Sequence, residues 1–168
     1  KETKARAAGQ VWGRPYELSY LHRSELEVGL TEKTWKVYFD FSLACMSSVD
    51  VVPFEIVLRA PQQSYMQPRI QTSLPPQPTG NAALDSLVVV KCSDPRFAQA
   101  VVPALIPLMT LPWIHIVGSG REVRVLTTQY THSCLLMNLS TFQKCLEQIA
   151  CIVEGKPAPS VDAPVATA

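Results

Sequence analysis

Three neighbouring residues, His132, Ser133 and Cys134, are the sequence's best candidates for nucleophilic chemistry. A nucleophile needs a base beside it, and a third group must orient that base. If this run forms a strand, His132 and Cys134 share a face while Ser133 points to the other side. A loop or strand edge before the last helix explains the same tripeptide without catalysis, and we assign no catalytic residue. The other histidines, His22 and His115, stand alone in the sequence.

The acidic residues show no spacing that would force two carboxylates into one apolar pocket, as acid–base catalysis needs. Glu55 lies between Phe54 and Ile56 in a predicted strand, so strand alternation predicts that its side chain faces solvent. Six further carboxylates are scattered over predicted strands and turns: Glu25, Glu27, Asp40, Asp50, Asp85 and Asp94.

The chain contains five cysteines, and no two of them form a C-x-x-C pair. Structural zinc and iron–sulfur sites usually contain such tight pairs. We therefore predict that the cysteines are small buried hydrophobic side chains in a reducing compartment, and we expect no metal and no cofactor. The five are Cys45, Cys92, Cys134, Cys145 and Cys151.

Composition excludes two broad classes of protein. Lys and Arg number 15 and Asp and Glu number 14, so the formal net charge is +1. A strongly basic nucleic-acid binder would need clustered Lys and Arg, and we expect no nucleic-acid partner. The hydrophobic fraction of 47% excludes a wholly disordered chain. Gly118-Ser119-Gly120 is too short for a phosphate-binding loop and predicts a hairpin turn.

Hydrophobic alternation predicts three strands in the first third of the chain. They cover residues 11–23, 34–46 and 53–59, and residues 28–33 form the connection between the first two, with Gly29 as its breaker. A fourth strand is predicted at residues 84–92.

Two helices are predicted after this strand. Ser93 or Asp94 caps the first helix and Pro95 occupies its first position, and apolar spacing continues it to about Pro112. Two strands, at residues 113–117 and 122–128, follow. The last helix is predicted at residues 140–154, with Ser140 or Thr141 as its cap and Gly155 as its stop.

This order of elements predicts an α+β fold, an antiparallel sheet of hairpin-connected strands with two main helices packed on one face. We divide the chain into an irregular lead-in at residues 1–10 and a single domain at residues 11–154. The domain includes a Pro-rich excursion at residues 61–81, and a flexible Pro/Ala-rich tail covers residues 155–168.

Residues 97–118 require a membrane check, because about 22 positions without a charged residue are long enough to span a bilayer. Pro103, Pro107 and Pro112 interrupt this stretch. Three prolines would leave several backbone carbonyls without partners in lipid. We therefore predict a buried helix followed by a strand, and no transmembrane segment.

The run at residues 79–98, TGNAALDSLVVVKCSDPRFA, resembles an uncharacterised bacterial α+β domain family. The resemblance covers about residues 10–154. Asp85, Ser93, Asp94 and Pro95 match its fixed positions, and we interpret them as a strand edge and a helix cap. Leu84 stands where the family often has an aromatic residue. Members are often attached to membrane helices and have no established activity, so the resemblance implies no catalytic residue.

We expect a non-enzymatic accessory or interaction subunit with a protein partner. One possible docking place is the cytoplasmic face of a membrane protein complex. We therefore expect a cytoplasmic protein, which would be peripheral at the membrane surface if it docks on such a complex. Large aromatic residues and an extended Pro-rich segment are suited to partner contacts. The candidate contacts are Trp12, Pro75, Pro76, Pro78 and Trp113.

Two alternatives from other classes stay open. One is a carrier of lipid or of a small apolar ligand, in which residues 97–117 line a cavity. The other is a small thiol enzyme or hydrolase that uses His132 and Cys134. The sequence does not distinguish a ligand cavity from a filled core.

Overall fold

Strands dominate the molecule. The structure is a computed structural model that describes residues 2–28, 33–58, 72–111, 114–129 and 132–157. Within these ranges, six strands form one sheet: β1 (Glu2–Val11), β2 (Arg14–Val28), β3 (Lys33–Leu58), β4 (Pro76–Gln77), β5 (Val88–Cys92) and β6 (Ile114–Gln129). The helical segments are α1 (Ala82–Leu87), α2 (Pro95–Ala100), α3 (Val102–Leu105), a 3-10 turn (Ile106–Leu108) and α4 (His132–Val153).

Two long antiparallel strands, β3 and β6, form the centre of the sheet. β3 has 26 residues and β6 has 16, and they pair from Phe39↔Gln129 to Leu58↔Ile114. The register shifts twice, between Met46 and Val51 and between Val51 and Phe54. Extra residues on one strand bend a β-ladder without ending it.

These long strands correct two sequence predictions. Residues 34–46 and 53–58 are parts of one strand rather than two, since the irregular segment between them is a set of bulges, and Arg59 of the predicted strand lies outside the described ranges. Gly118–Gly120 is not a hairpin turn, because β6 continues through it. Gly120 has φ +59 and Gly118 lies against the ring of Phe54, so both glycines fit a bend in a continuous strand.

β6 pairs along one edge of β3, and the other edge of β3 has a different partner strand in each half. The first half pairs with β2, and β2 pairs with β1. The second half pairs with β5, which pairs with β4. Val28 pairs with Lys33 at the end of the β2–β3 ladder, so these two residues belong to strands, and residues 29–32 of the predicted connection, with Gly29, lie outside the described ranges. The predicted irregular lead-in is wrong, because residues 2–11 pair with β2 as a regular strand.

Helix α4 packs on the centre of the sheet. Its buried side chains include Phe142, Leu146 and Ile149. The Phe142 ring lies 5.8 Å from the ring of Phe41 on β3, measured between centroids. The helix begins at His132, so the predicted cap at Ser140 or Thr141 is wrong. Apolar positions upstream of Ser140 extend the helical pattern by two turns.

The predicted start of α2 and the predicted end of α4 are confirmed. Asp94 caps α2 by accepting a hydrogen bond from the Arg96 amide at 2.9 Å, and Pro95 is its first residue. Gly155 has φ +65 just after α4, as its predicted role requires. The single long helix predicted after Asp94 is wrong. The chain there forms three short segments, α2, α3 and the 3-10 turn, because Pro103 and Pro107 interrupt the helical hydrogen bonds.

The segment before β5 is helical rather than extended. Asn81 Oδ1 accepts a hydrogen bond from the Leu84 amide at 3.1 Å and caps α1. Asp85, predicted at a strand edge, lies in this helix and accepts from the Thr79 amide at 2.9 Å. The cap and the Ala and Leu residues of α1 favour the helix, and β-branched valines then begin β5.

The chain is therefore a mixed α+β protein with an antiparallel sheet. The packing of both helical regions on one face of the sheet stays a prediction. Of the predicted excursion at residues 61–81, residues 61–71 lie outside the described ranges. Residues 76–77 form β4 at a sheet edge. Residues 158–168 of the predicted tail also lie outside the described ranges. In the part of the chain that the structure describes, no helix is long and apolar enough to cross a membrane.

Candidate functional site

The β1–β2 connection is a two-residue turn with an unusual residue in it. Val11 pairs with Arg14, and the two residues between them have φ +51 at Trp12 and φ +77 at Gly13. Positive φ at both central positions is typical of a type I′ turn, which favours Asn and Gly. Among the described residues, Trp12 alone has a positive φ without being glycine. A strained residue of this kind often belongs to a functional site.

Trp12 lines a pocket of about 560 Å³, which we name the hairpin pocket. This volume falls within the range of roughly 300–1,000 Å³ that is usual for small-ligand sites. The turn provides one wall, the bulged part of β3 provides another, and β6 and the end of α4 complete the rim. Its lining residues are Trp12, Gly13, Arg14, Pro15, Met46, Ser47, Ser48, Arg121, Glu147 and Lys156.

The floor of the pocket is a charged cluster around Arg14. The Arg14 Nε donates to Glu147 Oε2 at 2.9 Å, and its Nη2 donates to Glu154 Oε2 at 3.0 Å. Its Nη1 contacts Glu154 Oε1 and donates to the Met46 carbonyl at 2.9 Å. The hydrogen bond to Glu154 raises the pKa of Arg14 and lowers that of Glu154. Arg14 and Glu154 therefore stay charged near neutral pH.

Two further groups beside this cluster stay protonated near neutral pH. The Tyr16 hydroxyl lies 3.2 Å from Glu147 Oε2, and burial raises its pKa. Burial raises the pKa of the Cys45 thiol to about 12. A nucleophilic thiolate at neutral pH needs a lowered pKa, so Cys45 is an inert side chain of the core.

The rim of the hairpin pocket carries two exposed cations. Arg121 Nη2 donates to the Ser48 carbonyl at 2.7 Å, and no carboxylate among the described residues forms an ion pair with it. Lys156 Nζ lies 2.7 Å from Glu154 Oε2. Three cations and two carboxylates thus meet here, which leaves one positive charge in excess beside the indole of Trp12.

The predicted partner contacts are not brought together. Trp12 lines the hairpin pocket, at the β1–β2 end of the sheet order. Pro75, Pro76 and Pro78 are exposed on and beside β4, at the other end of that order. Trp113 lies outside the described ranges. The sheet therefore separates Trp12 from the prolines.

The alternative of a thiol enzyme required His132 and Cys134 to share one face of a strand, and the structure places both residues in a helix. His132 and Cys134 lie in the first turn of α4, not on a loop or a strand edge. Positions two apart in an α-helix do not share a face. The side chains of both residues lie outside what the structure describes.

A second polar cluster lies across β3, β5 and β6, and the sequence reasoning missed it. Glu55 is 0% exposed, so the prediction that it faces solvent is wrong. Its Oε1 lies 2.9 Å from His115 Nε2, and its Oε2 lies 3.2 Å from Lys91 Nζ. Thr72 donates to Oε2 through both its amide and its hydroxyl, each at 3.1 Å. Glu55 is buried because the chain before β4 covers this face.

The order of groups in this Glu55 cluster does not suit nucleophilic catalysis. In a catalytic triad, the imidazole stands between the nucleophile and the carboxylate. Here the carboxylate stands between the Thr72 hydroxyl and the imidazole of His115. His115 is also only 1% exposed. The cluster therefore holds Thr72 against the sheet.

Part of the segment proposed to line a ligand cavity packs into a filled core, whereas Phe97 and Ala100 at its start line a pocket of about 400 Å³. Around Leu105, Leu108 and Ile114 the remaining space is about 10 Å³, about the least that holds a single water. The described cysteines Cys45, Cys92, Cys145 and Cys151 are free and buried.

The residues of both clusters are far apart in sequence, which explains why they were missed. Arg14 and Glu147 are separated by 133 positions and Glu55 and His115 by 60. The sequence contains one local signal for the cluster around Arg14, because the carboxylate of Glu147 directly follows Leu146, a residue of the predicted apolar stripe of the last helix. Comparison of the chain with protein-family models, with curated proteins and with solved structures gives no match.

Proposed function

We propose that this protein is a non-enzymatic interaction module that receives an acidic group of a protein partner in the hairpin pocket. The observation that carries the proposal is the position of Trp12, a large aromatic residue held in a costly backbone conformation at the pocket. Tryptophan and arginine are enriched among the residues that dominate binding energy at interfaces.

The charges of the pocket support an anionic partner. Arg14 is bonded to two carboxylates in the floor, whereas Arg121 and Lys156 are exposed at the rim. An incoming carboxylate would pair with Arg121 without first displacing a carboxylate of this chain. An arginine fork binds a carboxylate through two parallel hydrogen bonds.

The fixed protonation of the floor also favours binding over proton transfer. A general acid or base works best when its pKa lies near the operating pH. The shifts at Arg14, Tyr16, Cys45 and Glu154 all move the pKa away from neutrality. Docking on a membrane protein complex stays a prediction, and the pocket chemistry implies an acidic surface on whichever partner is bound.

An oligoglutamate peptide tests the proposal. In nuclear magnetic resonance spectra of the labelled protein, the peptide should shift the Trp12 indole and Arg121 resonances, and added salt should weaken binding. Arg121→Glu should reduce affinity at least tenfold. Arg96→Glu is the matched control, since it makes the same charge change on α2, outside the pocket, and should bind as the wild type does. Equal binding by Arg121→Glu and wild type would exclude this pocket.

A further inference from the structure

A second pocket, of about 400 Å³, lies where α2, the bulged part of β3 and the end of α4 meet, and we name it the α2 pocket. Its volume also falls within the range of roughly 300–1,000 Å³ that is usual for small-ligand sites. None of its described lining residues lines the hairpin pocket. The two pockets are therefore separate surfaces of the molecule.

The walls of the α2 pocket are largely apolar. Phe54 and Phe97 both line it, and their rings lie 4.6 Å apart between centroids. Ile152 and Val153, both half-buried, line it from the end of α4. Val52 of β3 also lines the pocket, although 66% of this residue is exposed to solvent. Since covering apolar surface is favourable, these walls suit a ligand with an apolar body.

The rim of the α2 pocket carries more negative than positive charge. Its charged lining residues are Asp50, Asp94 and Arg96, and all three are exposed. Within the described part of the chain, no hydrogen bond or ion pair engages the Asp50 carboxylate. Arg121 and Lys156 line the hairpin pocket instead. Two carboxylates and one guanidinium thus leave one negative charge in excess.

The start of α2 offers no free site for an anionic ligand. The Asp94 side chain accepts a hydrogen bond from the Arg96 amide at 2.9 Å, and the Asp94 carbonyl accepts one from the Phe97 amide at 3.1 Å. An anion would have to displace this cap and would then lie beside carboxylates. A protonated amine meets no such obstacle, because Asp50 can accept its hydrogen bonds.

We propose that the α2 pocket binds a small molecule that has an apolar body and a protonated amine at one end. The apolar body contacts Phe97 and the Ile152–Val153 end of α4, and the ammonium group lies at the rim beside Asp50. Charge complementarity at the rim selects a cation over an anion. This site does not depend on the acidic partner proposed for the hairpin pocket.

The test compares three ligands of equal chain length, octylammonium, 1-octanol and octanoate, each below the concentration at which it forms micelles. In nuclear magnetic resonance titrations of the labelled protein, octylammonium should bind most tightly and octanoate most weakly. The shifts should centre on Val52, Phe97 and Ala100. Added salt should weaken the binding of octylammonium and leave that of octanol unchanged. Octanoate that binds as tightly as octylammonium, or no shift at these three residues, would overturn the proposal.

Two variants test the charge and the space separately. Asp50→Asn keeps the size of the side chain and removes its charge. It should weaken octylammonium binding about threefold, as the loss of an exposed ion pair does, and should leave octanol binding unchanged. Ala100→Phe should fill the pocket and abolish binding of all three ligands. Ala83→Phe is its matched control, since it makes the same change at an exposed position of α1 that does not line the pocket.

The Asp50→Asn comparison keeps the test decisive if Ala100→Phe fails to fold. Octylammonium binding that is the same in Asp50→Asn as in the wild type would contradict the assigned position of the ammonium group. Equal ligand affinities in Ala100→Phe and Ala83→Phe would show that the ligands bind elsewhere. Either result would overturn the proposal, and neither would bear on binding of oligoglutamate in the hairpin pocket.

Discussion

Trp12 holds a left-handed backbone conformation that costs a residue with a side chain about 1–2 kcal/mol. Its φ of +51 is imposed by the short connection between β1 and β2, whose register leaves two residues for the turn. Asn or Gly would adopt this conformation at lower cost. The turn by itself therefore does not favour a large indole at this position, and the binding role proposed above would account for it.

Replacing this indole should separate stability from binding. We expect Trp12→Asn to raise the free energy of unfolding by about 1 kcal/mol, because asparagine relieves the left-handed strain. The same change should weaken binding of oligoglutamate in the pocket. Urea unfolding gives the first quantity and a peptide titration gives the second. A loss of stability in Trp12→Asn would show that the indole contributes packing energy instead.

At the scale of the elements, β6 remains one strand because Gly118 accepts the ring of Phe54. The two residues are partners in the β3–β6 register, and the Phe54 ring packs against Phe97 of α2 at 4.6 Å. A Cβ atom at position 118 would lie 2.1 Å from the Phe54 ring. Glycine thus lets the ring lie across β6 and tie the bent strand pair to α2.

An alanine at this position should displace the ring. We expect Gly118→Ala to lower the free energy of unfolding by about 1–3 kcal/mol, as overpacking of a core usually does. Gly9→Ala is the matched control, since a Cβ there meets no atom within 4 Å. It should change stability by less than about 0.5 kcal/mol. Equal unfolding midpoints for the two variants would show that the Phe54 ring moves aside without cost.

For the molecule as a whole, the Glu55 cluster joins three strands and the chain before β4. Burial lowers the pKa of His115, although the charge of Glu55 opposes this shift. Burial alone would raise the pKa of Glu55, but hydrogen bonds from Thr72 and Lys91 outweigh it and lower that pKa. The folded state therefore favours a neutral imidazole beside an ionised carboxylate.

These two shifts predict how stability depends on pH. Below the ordinary histidine pKa of 6.5, the unfolded chain binds a proton that folded His115 does not accept, so stability falls on acidification. Below about 4.5, protonation of Glu55 in the unfolded chain adds a second decrease. Urea unfolding at a series of pH values measures both. His115→Gln should flatten the first decrease, and an unchanged profile in this variant would assign that decrease to other groups.

The sequence by itself determined the features that depend on a few consecutive residues. The Asp94–Pro95 start of α2 and the Gly155 stop of α4 follow from local hydrogen bonding and backbone freedom, and both predictions are confirmed. The α+β class with an antiparallel sheet follows from the hydrophobic pattern. These features need no contact from distant parts of the chain.

Only the tertiary structure decided which breaks in the pattern end an element and which faces are buried. The glycines of β6 read as a turn in sequence, yet pairing with β3 makes them a bend. Strand alternation placed Glu55 in solvent, but Thr72 covers it from a part of the chain that has no local pattern. Arg14 meets its carboxylates across more than a hundred positions. Such contacts depend on how the sheet and α4 pack together, and that information is not local in the sequence.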